Sequence, residues 1–136
     1  MNQQYVITKK KSIRGTETIL VVEDEPRIRK IVSRDLEGMG YKTLEAENGD
    51  IAKEIIESGE PINLLFSDIM MPGKMDGHKL AVWTEENYPE IKIVLTSGYS
   101  RDETDANSGE VYPFYVIRKP YSVDNLATKI KTRLAG

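Results

Sequence analysis

Short apolar runs, each closing on polar or charged residues, punctuate the chain. Ile19 to Val22 leads into Glu23-Asp24-Glu25, Ile62 to Phe66 into Ser67-Asp68, Ile91 to Leu95 into Thr96-Ser97-Gly98, and Val116-Ile117 into Arg118-Lys119-Pro120. Tyr41 to Ala46 reads as a further short strand. Between these runs the apolar spacing becomes helical. After Pro26, Ile28, Ile31, Val32 and Leu36 form a stripe to bury, Arg27, Arg29, Lys30 and Arg34 read as solvated charge, and Gly38-Met39-Gly40 stops the helix. Asn48-Gly49-Asp50 supplies a turn and N-cap for a helix burying Ile51, Ile55 and Ile56. A third helix spans about His78 to Asn87, with Leu80, Ala81 and Trp83 or Thr84 facing inward, and ends at Tyr88-Pro89. Ser122 caps a last helix with Leu126, Ile130 and Leu134 on one side. Strands alternating with helices predict βαβ units, hence an α/β fold with a parallel sheet covered on both faces.

The residues closing the strands carry the candidate chemistry. If the strands are parallel neighbours, Asp68 and the cluster Glu23-Asp24-Glu25 meet at the carboxyl edge of the sheet. Glu23, Asp24 and Asp68 repel one another at close range, and a hard divalent cation with oxygen ligands relieves that repulsion, which makes Mg2+ the first expectation. Thr96 brings a hydroxyl and Lys119 an ammonium from two other strands. A donor and a cation beside a metal-bound carboxylate suit a phosphoryl group, so the site is built for an aspartyl phosphate.

Four ordered motifs, Val-Val-Glu-Asp-Glu-Pro, Ser-Asp-Ile-Met-Met-Pro-Gly, Leu-Thr-Ser-Gly and Lys-Pro, together resemble the receiver domain of two-component response regulators. The resemblance implies a flavodoxin-like, doubly wound, five-stranded parallel sheet for residues 17–136, with residues 1–16 as an arm or linker. It implies Asp68 as phosphoacceptor, Asp24, Asp68 and the Met70 carbonyl as Mg2+ ligands, Glu23 as the second acid of the pocket, and Thr96 and Lys119 as phosphoryl contacts. It also implies a histidine kinase, or a kinase domain, as phosphoryl donor, and a separate downstream protein. Residues 14–25 and the loop 71–77 resemble those of receivers attached to hybrid sensor kinases. One departure concerns the aromatic residue that the family often places three positions before the strand-ending lysine: Val116 stands there, leaving Tyr99 and Phe114 as possible switch residues. Lys119-Pro120 resembles the family's cis peptide.

Three rival readings fit less of this pattern. An aspartyl-phosphate phosphatase calls for a second Asp where Met70 stands, and a nucleotide- or flavin-binding module calls for a Gly- or Thr-rich phosphate loop where Asp24 stands. A receiver-fold interaction module that is never phosphorylated is the remaining alternative. The chain as a whole narrows the context. Its 136 residues hold one α/β domain and leave no room for an added DNA-binding domain, and a net charge of −3 gives no reason to expect nucleic acid as a partner. There is no cysteine and no apolar stretch approaching 18 residues, so the expectation is a cytoplasmic protein without disulfides or membrane contact. Residues 100–110 offer almost nothing apolar to bury, which predicts a short or mobile fourth helix. His78, the only histidine, is read as a surface residue, and Trp83 as packing between helix and sheet.

Overall fold

A computed structural model describes residues 17–98 and 114–136. The expectations for the arm 1–16, for the segment 100–110 and for Tyr99 lie outside the described residues. The elements are β1 (Thr18–Val22), α1 (Pro26–Gly38), β2 (Lys42–Ala46), α2 (Gly49–Glu57), β3 (Leu64–Asp68), α3 (Gly77–Asn87), β4 (Lys92–Ser97), β5 (Tyr115–Arg118) and α4 (Val123–Ala135). The five strands pair in parallel in the order β2-β1-β3-β4-β5, the flavodoxin-like arrangement expected.

The two faces of the sheet divide the apolar residues by strand parity. Leu20, Val22, Leu65, Ile93 and Leu95 point to one side and pack with Ala52 and Ile56 of α2 and Leu80 and Ala81 of α3. Ile19, Val21, Leu64, Phe66, Val94 and Ile117 point to the other and pack with Val32 and Leu36 of α1 and Leu126 and Ile130 of α4. β1 and β3 are covered on both sides, which is why their sequences are unbroken apolar runs rather than alternating ones.

Three helices begin on a capping side chain, and two of the caps, Asn48 and Ser122, are those expected. Ile51 N–H donates to Asn48 Oδ1 at 2.8 Å, Lys79 N–H to Asp76 Oδ1 at 2.8 Å, and Asn125 N–H to Ser122 Oγ at 3.0 Å. On α3 it is Thr84 rather than Trp83 that is fully buried, its hydroxyl donating to the Leu80 carbonyl at 2.8 Å. Trp83 is half-buried at the border of the core beside Tyr88, with the Lys53 ammonium 5.3 Å from its ring centre. No helix among the described residues is long and apolar enough to cross a membrane.

α1 departs from its expected stripe in two ways. Ile28 and Ile31 are 39% and 48% exposed, and the buried positions are Val32, Ser33 and Leu36. At 3.6 residues per turn these three occupy one side of the helix, and Ile31 lies on the far flank of that arc. Arg29, expected among the solvated charges, lies on the inward side instead, with only 14% of its side chain exposed. Leu36→Ala should therefore cost about 2–5 kcal/mol in urea unfolding, whereas Ile31→Ala should stay within about 0.5 kcal/mol of the parent.

Candidate functional site

Parallel register brings the strand ends to a common edge. Val22 pairs with Ala46 and with Ser67, Asp68 with Thr96, and Ser97 with Arg118. The pairing continues one residue further, with Glu23 N–H donating to the Ala46 carbonyl at 3.1 Å, Ile69 N–H to Thr96 at 2.9 Å and Lys119 N–H to Ser97 at 2.9 Å. Glu23, Asp68, Thr96 and Lys119 are thus held by sheet hydrogen bonds. The edge lies where the connections from β1 and β3 leave in opposite directions, the position at which open α/β sheets form their ligand crevice.

Glu23, Asp24 and Asp68 each bring a carboxylate oxygen within 4.8 Å of the others. Lys119 Nζ sits 3.3 Å from Asp68 Oδ2 and 3.7 Å from Glu23 Oε1, and the residue is joined to Pro120 by a cis peptide bond. Glu23 is buried and its Oε2 accepts the N–H of Glu25, the N-cap residue of α1, at 3.0 Å. Asp24 is exposed and leaves the pocket open to solvent on its side.

Among the described residues, one ammonium faces three carboxylates in a half-buried place. Burial raises the Asp68 carboxyl above its ordinary value, against the pull of Lys119 and of a hydrogen bond from the Met70 backbone, and Asp24 adds to the rise. Burial likewise raises Glu23, opposed by the Glu25 N–H and Lys119, with Asp68 and Asp24 pushing it further up. The same field reaches Tyr121, whose phenol is pushed up to about 12 by burial first and then by Glu23 and Asp68. An all-oxygen donor set with uncompensated negative charge fits a hard divalent cation.

The loop between β3 and α3 is seated by close backbone contacts. A Cβ on Gly77 would overlap the Asp68 carbonyl oxygen and lie 2.7 Å from the Ile69 Cα, while Gly77 N–H donates to the Ile69 carbonyl at 2.9 Å. A Cβ on Gly49 would overlap the Met75 carbonyl. The two glycines let the loop lie flat between α2 and the end of β3, which fixes where the Asp68 main chain stops. Met70 in that loop is 52% exposed.

The structure thus brings Glu23, Asp24 and Asp68 within 4.8 Å of one another, pairs Lys119 with Glu23 and Asp68, and sets Thr96 beside Asp68 in register. Phe114, just before β5, is buried in the α2/α3 cluster where Val116 also packs, as their shared parity implies, and its ring meets that of His78 edge-on at 6.2 Å. Arg29, expected as solvated charge, and Gly77 and Tyr121, to which the sequence assigned no role, are neighbours of the site. For Gly77 a signal existed, a glycine directly after an Asp N-cap; nothing in the linear pattern of Arg29 or Tyr121 separates them from surface residues.

A family model described as the response regulator receiver domain matches residues 19–131, and the chain belongs to that family. Among curated relatives it is 36% identical over 129 residues to the sensor kinase CckA of Brucella abortus, covering 94% of this chain but 14% of the kinase. It is 33% identical over 116 residues to the receiver protein CpdR of the same organism, covering 85% of this chain and 95% of CpdR. A response regulator receiver protein from Sinorhizobium medicae superposes with a TM-score of 0.78 at 27% identity, covering 89% of this chain and 96% of that one. TrrA of Thermotoga maritima, solved in complex with Mg(2+)-BeF, does so with 0.73 at 34% identity over 85% of this chain and 97% of that one. The chain is therefore a two-component receiver domain with an acidic pocket at the family's strand ends.

The raised carboxyls have a consequence for stability. The folded chain binds more protons than the unfolded one between the ordinary and the raised values, so stability falls as pH climbs through that interval. Asp68→Asn removes one of these charges. In chelator, it should raise stability at pH 7 by roughly 1 kcal/mol, about 3 °C in melting temperature at this size. The gain should vanish below about pH 3, where the Asp68 carboxyl of the parent is protonated in both states. Thermal melts at the two pH values decide it, and a loss at pH 7 would mean that Lys119 already neutralises the pocket.

Proposed function

We propose that the domain accepts a phosphoryl group on Asp68 from the phosphohistidine of a histidine kinase or kinase domain and signals through a changed binding surface. The observation that carries this reading is the pocket itself: three carboxylates within 4.8 Å of one another, with the Lys119 ammonium 3.3 Å from Asp68. An Asp68 carboxylate oxygen attacks phosphorus, the bond from phosphorus to the histidine nitrogen breaks, and its electron pair returns to an imidazole whose other nitrogen carries a proton. Lys119 and the Thr96 hydroxyl hold phosphoryl oxygens as negative charge shifts onto them. Mg2+, held by Asp24, Asp68 and the Met70 carbonyl, supplies further positive charge to those oxygens when bound. Water attacking the same phosphorus later releases phosphate and restores the Asp68 carboxylate.

In this reading the domain catalyses only its own phosphorylation and dephosphorylation. Residues 17–136 form the receiver and residues 1–16 an arm outside it. The domain is cytoplasmic, the downstream partner is a protein rather than nucleic acid, and Phe114 or Tyr99 takes the switch role that Val116 cannot. The match to a segment of a sensor kinase supports a donor of that class.

Titration with Mg2+ should shift backbone amides around residues 23–25 and 68–70, and Asp24→Ala should weaken that binding at least about tenfold. Acetyl phosphate should label the protein with hydroxylamine-sensitive phosphate, and Asp68→Asn should abolish the label. Labelling that survives Asp68→Asn moves the acceptor elsewhere. A protein that binds Mg2+ yet takes no phosphoryl group from acetyl phosphate or any kinase is instead a non-phosphorylated interaction module of receiver fold.

A further inference from the structure

The geometry points to Arg29 as a positioning residue for the cation pocket, an inference that rests on the proposed function and adds a part to it. Arg29 lies in the first turn of α1, and its Nη1 donates to the main-chain carbonyl of Glu23 at 2.7 Å. Its Nε donates to Glu45 Oε1 at 3.3 Å, and only 14% of the side chain is exposed. Glu45 belongs to β2, which borders β1 on the side away from β3. The planar guanidinium therefore ties the tip of β1 to the neighbouring strand through two directional bonds, a task that suits its fork of donors.

The carbonyl it grips belongs to the peptide joining Glu23 to Asp24. Glu23 N–H is already bound to the Ala46 carbonyl at 3.1 Å, and the Glu23 carboxylate receives the Glu25 N–H at 3.0 Å. With Arg29 on the carbonyl, both peptide groups flanking the Glu23 Cα are held, and the exposed Asp24 side chain starts from a fixed main chain. Lys30 also pairs with Glu45, at 3.5 Å, but its side chain is 72% exposed, which makes it the natural comparison.

Two roles for Arg29 predict opposite signs. As a mere positive charge near a cation site, it opposes Mg2+, and its removal tightens binding. As a support for the Asp24 main chain, it favours Mg2+, and its removal loosens binding by spreading the ligand over more conformations. Mg2+ titrations of the full chain followed by amide shifts, with thermal melts and metal-free amide exchange, separate the two. Arg29→Gln should weaken Mg2+ about tenfold and speed metal-free exchange at Asp24 and Glu25. Glu45→Gln, which leaves the Glu23 contact but loosens the anchor, should weaken Mg2+ about threefold. Arg29→Lys should recover part of the loss, and Lys30→Gln should leave Mg2+ affinity unchanged or slightly higher. Arg29→Gln and Glu45→Gln both binding Mg2+ as tightly as the parent overturn the inference, as does a loss in Lys30→Gln equal to that in Arg29→Gln. A parent protein that binds no Mg2+ overturns the proposed function, a result the Arg29 variants cannot mimic.

Discussion

Val22 of β1 stands in register with Ser67 of β3, so the next residues of both strands bring Glu23, Asp24 and Asp68 to one place. Carboxylates so close repel, and the two that are buried lose hydration that would offset the repulsion. The strand pairing has to hold them against that force. It does so because β1 and β3 are buried on both faces by apolar side chains and locked by parallel hydrogen bonds that extend to Glu23 and Ile69. Lys119, brought in from the far end of β5, offsets only part of the charge. The pocket is therefore a place of stored electrostatic tension for which a divalent cation is the fitting counterpart.

α1 shows how one helix serves both the core and the site. Val32 and Leu36 bury against the sheet, which fixes the rotation of the helix and exposes Ile31 and Ile28. The same rotation turns Arg29 inward to the Glu23 carbonyl and to Glu45. A change in how α1 packs would thus be felt at Asp24 through the main chain, without any contact between the core residues and the carboxylate itself.

The β3–α3 side is controlled differently, by the absence of side chains. Gly77 admits the Asp68 carbonyl and Gly49 admits that of Met75, so the loop carrying Met70 follows the sheet edge closely. The Asp68 side of the pocket is set by backbone proximity, and beside Asp24 the Glu23 carbonyl is held by the Arg29 side chain.

Periodicity and strand-ending chemistry determined the parallel α/β arrangement and the meeting of Glu23, Asp24, Asp68 and Lys119 at one edge. Strand parity and parallel pairing are local rules, and each of these residues lies within two positions of the end of an apolar run whose length and flanks read as a strand. The caps Asn48 and Ser122 were legible for the same reason, since a cap acts within three residues of itself. The exposure of Ile28 and Ile31, the inward turn of Arg29 and the raised phenol of Tyr121 were decided by tertiary structure. A helical stripe defines an arc of apolar residues, but which part of that arc meets the sheet depends on the angle at which the helix packs. Likewise, the proton affinity of a buried group depends on the charges that the other strands bring beside it, and these come from parts of the chain that sequence distance keeps far apart.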